Sequence, residues 1–314
     1  MSRIHEALKK AEQERANVQA IGTDILTASP TANPPAPEVA GPENKVVNNS
    51  AADKLAASTG GHLRFDDLRK RCAHPDWHLD PSVNVFINPE LSVHAAEQFR
   101  TLRSRLYQIR AAQHLRTLLV TSSVPAEGKT FVTNNLAQAI VRQPDRRALI
   151  IDADLRCSRL HVPLGAPPSP GLTDYLKGDV DEMAIIQHGL EGNLCFIPGG
   201  IQATNPSELL SNNRLRTLLD RVTQVFDWVI LDSPPLLPVS DSSVIADLLD
   251  GVLLVVKAGE TPSATAQRAC QELRGRNILG VVLNAVAPQH AYGEAYYSST
   301  YGYGDGYGLS EPKG

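Results

Sequence analysis

From residue 116 onward, short runs of Val, Ile and Leu recur along the chain, separated by stretches with helical spacing. Strands are predicted near 117–121, 147–152, 194–197, 228–232, 252–257 and 279–284. None alternates apolar with polar residues, which is the pattern of strands covered on both faces. Helices are predicted between them near 130–142, 207–223, 241–249 and 262–275, and Pro206-Ser207 and Ser240-Asp241 supply helix-start chemistry for two of these. Alternating βα units predict an α/β fold with a doubly wound, mostly parallel sheet and helices on both faces. Ahead of them, His94–Ala111 carries Ala95, Phe99, Leu102, Leu106 and Ile109 as one apolar stripe of a helix. On another face Glu97, Arg100 and Arg103 stand three apart, a spacing whose ordinary meaning is a solvated charge row.

The pattern changes at both ends. Residues 2–16 place Ile4, Ala7, Leu8 and Ala11 on one helical face behind Ser2, so a short amphipathic helix is expected over 1–16. Such a helix is marginal alone, and reads either as a solvated segment or as a docking element. Residues 17–80, rich at first in Pro, Ala and Asn, are expected to be a disordered linker, with the folded domain over 81–290. The tail 291–314 holds Tyr292, Tyr296, Tyr297, Tyr301, Tyr303 and Tyr307, six of the eight tyrosines, interleaved with Gly, Ser and Asp. It reads as a mobile low-complexity tail or as a cluster of accessible phenols.

Chemistry enters at the ends of three predicted strands. TSSVPAEGKT at Thr121–Thr130 lies between a strand and a helix, and Gly128-Lys129-Thr130 is the phosphate-gripping end of a P-loop. The first Gly of the general pattern is replaced by Ser123. In such a loop, backbone N–H groups at a helix N-terminus face the phosphates, a lysine reaches the outer ones, and a hydroxyl ligands Mg²⁺. The strand ending at Asp152-Ala153-Asp154-Leu155-Arg156 and the one ending at Asp232 bring three carboxylates and an arginine to the same edge. Ligands of open parallel sheets bind there, and a magnesium–nucleotide site needs such groups for metal-bound water and a nucleophile.

Composition narrows the class. The 314-residue chain has net charge −4 and 42% hydrophobic residues, which indicates neither a nucleic-acid-binding surface nor global disorder. Cys72, Cys157, Cys195 and Cys270 are scattered without metal-ligand spacing, as expected of incidental thiols in a reducing compartment. No apolar run is long enough to span a bilayer and no secretory leader is evident, so a cytosolic protein is expected unless a partner holds it elsewhere.

Taken together, SSVPAEGKT, IIDADLR, VILDSPP, EQFRTLR and the terminal tyrosines resemble the bacterial tyrosine kinases, P-loop autokinases of polysaccharide export systems, over roughly residues 85–308. The resemblance implies an ATP- and Mg²⁺-dependent protein-tyrosine kinase that phosphorylates the tail tyrosines of neighbouring subunits. By it, Ser123, Pro125, Ala126, Glu127, Gly128, Lys129, Thr130 and Arg156 would bind nucleotide. Thr130, Asp154 and Asp232 would hold the metal, Asp152 would be the base, and Lys129 would neutralise the outer phosphates. Family loops read PGEGK, and Ala126 stands here in place of that glycine. Glu97, Arg100 and Arg103 match the family's subunit-contact motif, implying a homo-oligomer. Partners implied are a separate inner-membrane chain-length (co-polymerase) protein as activator and a cognate tyrosine phosphatase, with a place in the cytoplasm beside the inner membrane. Each motif alone is shared with ATPases of the MinD and ParA kind, so the alternative is a membrane-recruited ATPase switch without kinase activity. A second lysine early in the loop marks those relatives, and Ser122 and Ser123 occupy that region here.

Overall fold

The computed structural model describes residues 64–88, 93–189 and 192–287. The amphipathic segment expected at 1–16 and the tail tyrosines lie outside the described residues. The strands are β1 (Thr117–Ser122), β2 (Ala148–Asp152), β3 (Gln187–His188), β4 (Leu194–Ile197), β5 (Trp228–Asp232), β6 (Gly251–Lys257) and β7 (Ile278–Asn284). They form one sheet in the order β3-β4-β2-β5-β1-β6-β7, parallel except for β3 at its edge. Neighbouring residues of the central strands serve opposite faces. Leu119, Leu149, Ile151, Val229 and Leu231 join one apolar cluster, while Leu118, Val120, Ile150 and Ile230 join the other. That double burial is why the strands lack alternation in the sequence.

Helices cover both faces. On one lie α2 (Val93–Ala112) and α3 (Lys129–Val141), meeting through buried Phe99 and Leu106 of the first and Val132, Leu136 and Ile140 of the second. On the other, α5 (Leu172–Lys177), α7 (Pro206–Leu210), α8 (Asn213–Val222) and α9 (Asp241–Ala246) bury Leu172, Leu176, Leu210, Leu215, Leu218 and Ile245. Fully burying each such side chain contributes roughly 1.5–3 kcal/mol relative to exposure. The expected helix over 207–223 is two helices, because Asn212 accepts from the Arg214 N–H at 2.9 Å and starts α8 afresh. A final helix, α10 (Ser263–Glu272), precedes β7.

The part of the linker expected over 17–80 that the structure describes is folded rather than disordered. Phe65–Arg71 is a helix, α1, whose Phe65 and Leu68 are buried, and Ala73 pairs with Gln187 beside β3. Its apolar content is one i, i+3 pair among charged residues, too little for a periodic signal. Residues 80–88 then strap across α3. The Asn135 side chain accepts from the Val85 N–H at 2.9 Å and donates to the Val83 carbonyl at 2.9 Å, while Asn134 donates to Asn84. Three short elements, α4 (His161–Leu164), α6 (Glu182–Ile185) and β3, are too short for their residues to show a helical or strand period. All four cysteines are free; Cys72 and Cys195 are buried and Cys157 is exposed. No helix among the described residues is long and apolar enough to cross a membrane.

At the edge opposite the P-loop, one carboxylate aligns β1 with β6. Asp250 accepts from the Arg116 and Thr117 N–H groups at 2.7 and 2.8 Å, and its own N–H donates to the Thr117 hydroxyl at 2.8 Å. Burial works to raise its pKa, but the bonds from Arg116 and Thr117 win and hold it below the ordinary 3.8. Its contribution is therefore complete above pH 3.8 and is lost as pH falls through the lower folded value. Asp250→Ala is expected to cost about 2 kcal/mol in urea unfolding near neutral pH. The gap from the unsubstituted protein should narrow steadily below pH 3.8; a gap that does not depend on pH would dissociate the effect from the carboxylate.

Candidate active site

The P-loop leaves β1 at Ser122 and enters α3 at Lys129. Two residues hold the left-handed backbone that bends it, Gly128 at φ 91° and Ala126 at φ 65°. Gly128 is required twice, since a Cβ there would collide with the Asn284 side-chain nitrogen. That nitrogen donates to the Glu127 carbonyl at 2.9 Å. The Glu127 side chain points inward and is 2% exposed. Its Oε2 accepts from the Val124 N–H at 2.8 Å, and its Oε1 accepts from the Thr261 hydroxyl at 2.6 Å and the Lys257 N–H at 3.3 Å. The loop is thus tied from below to the ends of β6 and β7, which leaves the orphan N–H groups of the first turn of α3 to face outward.

Parallel pairing puts Asp152 directly beside Asp232 at the ends of β2 and β5. Thr130 donates its hydroxyl to Asp232 Oδ2 at 2.6 Å, and Lys129 Nζ lies 3.2 Å from Asp154 Oδ2. Asp152 Oδ2 accepts from the Ser158 hydroxyl at 2.7 Å and the Leu160 N–H at 2.9 Å; its Oδ1 accepts from the Asp154 N–H at 3.2 Å. Burial disfavours these charges. It pushes Asp152 up to about 6 and Asp232 up to about 7, the latter against the pull of Lys129. Burial also works to lower the Lys129 pKa, but Asp232 and then Asp154 reverse it and hold the ammonium above its ordinary value.

Lys129, Thr130, Asp152, Asp154 and Asp232 therefore meet at one place. Gly128 lies beside them, while Pro125 and Ala126 form the exposed outer bend. Ser123 is fully buried beneath the loop, with its hydroxyl unpartnered and its carbonyl accepting from the Leu237 N–H at 3.2 Å. Arg156 is engaged elsewhere. Its guanidinium makes two bonds to Asp241, at 2.7 and 3.0 Å, and a third to Ser207 at 3.1 Å. Glu97 and Arg100 pair on the surface of α2, but Arg103 is not part of that solvated face: it donates to the Ala139 carbonyl at 2.6 Å, capping the last turn of α3. Asn284 and the inward role of Glu127 were missed by the sequence reading. The usable signal was a polar residue ending the apolar run of β7, the same signal that marks Asp152 and Asp232.

The residues fit a magnesium–nucleotide. Asp232 Oδ1 is buried without a hydrogen-bond partner, an acceptor built for something the side chains do not supply. No three His, Cys, Asp or Glu side chains among the described residues form a metal-holding group by themselves. Mg²⁺ suits such a place, because it is commonly held by one or two carboxylates, phosphate oxygens and water.

The two left-handed residues make opposite expectations. Ala126→Gly removes a steric cost of about 1–2 kcal/mol against a Gly entropy cost of about 0.5–1 kcal/mol, so thermal unfolding should stay level or rise slightly. Ala126→Val should lower it, being β-branched at positive φ. Gly128→Ala should displace Asn284 and weaken binding of a fluorescent nucleotide. Unchanged affinity would show that the Asn284 bond is dispensable for the loop.

No family model matches the sequence. The chain is 36% identical over 204 residues to tyrosine-protein kinase etk of Escherichia coli (strain K12), a match covering 64% of this chain and 28% of that protein. The chain thus spans little more than a quarter of the length of that relative. It is 30% identical over 203 residues to tyrosine-protein kinase YwqD of Bacillus subtilis (strain 168), covering 64% of this chain and 85% of that one. Among solved structures, the kinase domain of the Escherichia coli tyrosine kinase ETK superposes with a TM-score of 0.60 at 34% identity, over 66% of this chain and 82% of that domain. With a P-loop, two further strand-end carboxylate motifs and relatives matched over most of a kinase domain, the chain belongs to the bacterial tyrosine-protein kinase family.

Proposed function

We propose that this chain is a protein-tyrosine autokinase that transfers the γ-phosphoryl group of Mg·ATP to Tyr292, Tyr296, Tyr297, Tyr301, Tyr303 and Tyr307 of a neighbouring copy. The observation that carries it is the convergence of Lys129, Thr130, Asp154 and Asp232 on one loop, with Asp152 paired in register beside them. Lys129 and the first-turn N–H groups of α3 bind and orient the outer phosphates. Thr130, Asp154 and Asp232 are the residues that would hold Mg²⁺, which supplies charge neutralisation on the β- and γ-phosphates. Asp152 orients the tyrosine hydroxyl. The phenol oxygen bonds to the γ-phosphorus, the bond from that phosphorus to the bridging oxygen breaks, ADP leaves with the electron pair, and the phenol proton passes to Asp152. In such a loose transition state positioning and charge contribute more than proton abstraction.

The wider role follows from the family resemblance. A separate inner-membrane co-polymerase protein would activate the kinase at the cytoplasmic face, a cognate phosphatase would reverse it, and the cycle would govern exopolysaccharide polymerisation and export. Each phosphate adds about −1.5 to −2 charges, so a phosphorylated tail is repelled by neighbouring tails and by the acidic site.

Lys129→Met should remain folded by circular dichroism and lose phosphotyrosine on incubation with Mg·ATP, as read by mass spectrometry of the tail. Mixed with active protein lacking residues 292–314, the same variant should regain phosphotyrosine on its own tail. Absence of phosphotyrosine in the unsubstituted protein would instead favour an ATPase switch.

The charge row on α2 separates into two expectations. Glu97→Ala with Arg100→Ala should leave stability nearly unchanged and yield a smaller particle by light scattering. Arg103→Ala should cost about 1.5 kcal/mol, because a charged hydrogen bond to α3 is lost. Equal particle mass with and without the Glu97–Arg100 pair would return that pair to the role of a solvated surface.

A further inference from the structure

Asp152 is buried, yet its orientation is not set by its own torsion. The terminal torsion of an aspartate is broad and two-fold, so the direction of the carboxylate has to come from its partners. Three donors supply it, and all arise from the loop that follows β2: the Asp154 N–H on Oδ1, and the Leu160 N–H and Ser158 hydroxyl on Oδ2. Ser158 is the only side chain among these three. With Oδ2 doubly occupied, Oδ1 keeps the greater free acceptor capacity.

The place of Ser158 is set in turn by Gly199. A Cβ built on Gly199 would stand 2.6 Å from Ser158 Oγ and 2.7 Å from Ser158 Cβ. Gly199 is itself held, its carbonyl accepting from the Thr173 N–H at 3.0 Å, and it does not adopt the left-handed backbone that favours glycine. The missing side chain therefore serves proximity rather than conformation. Ser158 and Gly199 come from different connections of the fold, after β2 and after β4, and they meet beside Asp152.

We propose that Ser158 is a positioning residue for phosphoryl transfer, its hydroxyl locking Asp152 with Oδ1 presented to the acceptor tyrosine, and that Gly199 is the backstop that leaves room for this lock. This rests on the reading of Asp152 as the proton acceptor. The lock acts on the acceptor side of the reaction, because among the described residues neither Ser158 nor Gly199 hydrogen-bonds Lys129, Thr130 or the P-loop backbone. Losing it leaves one backbone donor on each oxygen, at 3.2 and 2.9 Å, and loosens the direction of the carboxylate; misplacement of a reacting group by about 1 Å costs on the order of 100-fold in rate.

The test uses the full chain with Mg·ATP and compares Ser158→Ala, Gly199→Ala, Asp152→Asn and the Asp152→Asn/Ser158→Ala double variant. Ser158→Ala should lower the rate of tail phosphorylation about 10–100-fold, the range seen when a group that orients a functional ligand is removed. KM for ATP and the affinity for a fluorescent nucleotide should stay within about twofold. Gly199→Ala, which reaches the same carboxylate by crowding Ser158, should give the same split and covers the case in which one variant folds poorly. The double variant should be no slower than Asp152→Asn alone, because Ser158 acts through Asp152. Full activity of folded Ser158→Ala beside an inactive Asp152→Asn overturns the lock while sparing the base reading. Full activity of Asp152→Asn overturns the base reading and the lock with it. A parallel fall in nucleotide affinity, or additive losses in the double variant, also overturns the lock by assigning Ser158 to general structure.

Discussion

The burial of one ammonium among three carboxylates constrains everything around it. Lys129 is tied to Asp154, and both Asp152 and Asp232 lie close enough to influence its pKa. Like charges removed from water repel strongly, and a buried ion that loses its partner is costly. The protein meets this by raising the proton affinity of Asp152 and Asp232 and by spending hydrogen bonds from Thr130, Ser158, Leu160 and Asp154 on them. Without a ligand, the site is therefore a set of charges balanced against each other. On the proposed reading, a magnesium–triphosphate would bring both signs at once, and Lys129 would exchange a carboxylate for phosphate.

That balance needs rigid geometry, and the sheet provides it. β1, β2 and β5 are adjacent, parallel and in register at their ends, so the loop lysine and the two strand-end aspartates meet without adjustable linkers. The loop has its own anchorage. Glu127 is a buried carboxylate satisfied by donors from Val124, Lys257 and Thr261, and Asn284 holds the same residue's carbonyl. The ends of β6 and β7 thus shape the P-loop although neither carries a recognisable nucleotide motif.

Several arginines serve as braces. Arg103 caps α3, Arg110 and Arg116 donate to carbonyls of the α8–β5 connection, and Arg156 clamps Asp241 and Ser207. The guanidinium suits this work because its donors are fixed in a planar fork. For Arg156 the result is a tie between the end of β2 and α9, which stiffens the loop carrying Asp154 and Ser158. For α2 it means that Arg103 of the charge row is engaged with α3, while Glu97 and Arg100 pair with each other.

The sequence by itself determined the doubly wound sheet and which residues gather at its carboxyl edge, Lys129, Thr130, Asp152, Asp154 and Asp232. Strands buried on both faces must be apolar throughout, and the polar residue ending each of them must lie at the sheet's carboxyl edge, where ligands bind. Asp152 and Asp232 are legible for that reason, and Lys129 and Thr130 because a phosphate cradle constrains its residues locally. Only the tertiary structure decided which polar side chains turn inward. Nothing in the spacing of Glu97, Arg100 and Arg103 says that the third reaches a carbonyl of α3. Nor does DADLR say that its arginine is held by a helix eighty-five residues away. Ser158 and Gly199 lie on separate loops, and α1 is ordered by the core it joins rather than by its own propensity. Such roles depend on contacts between distant segments, and periodicity along the chain carries no record of them.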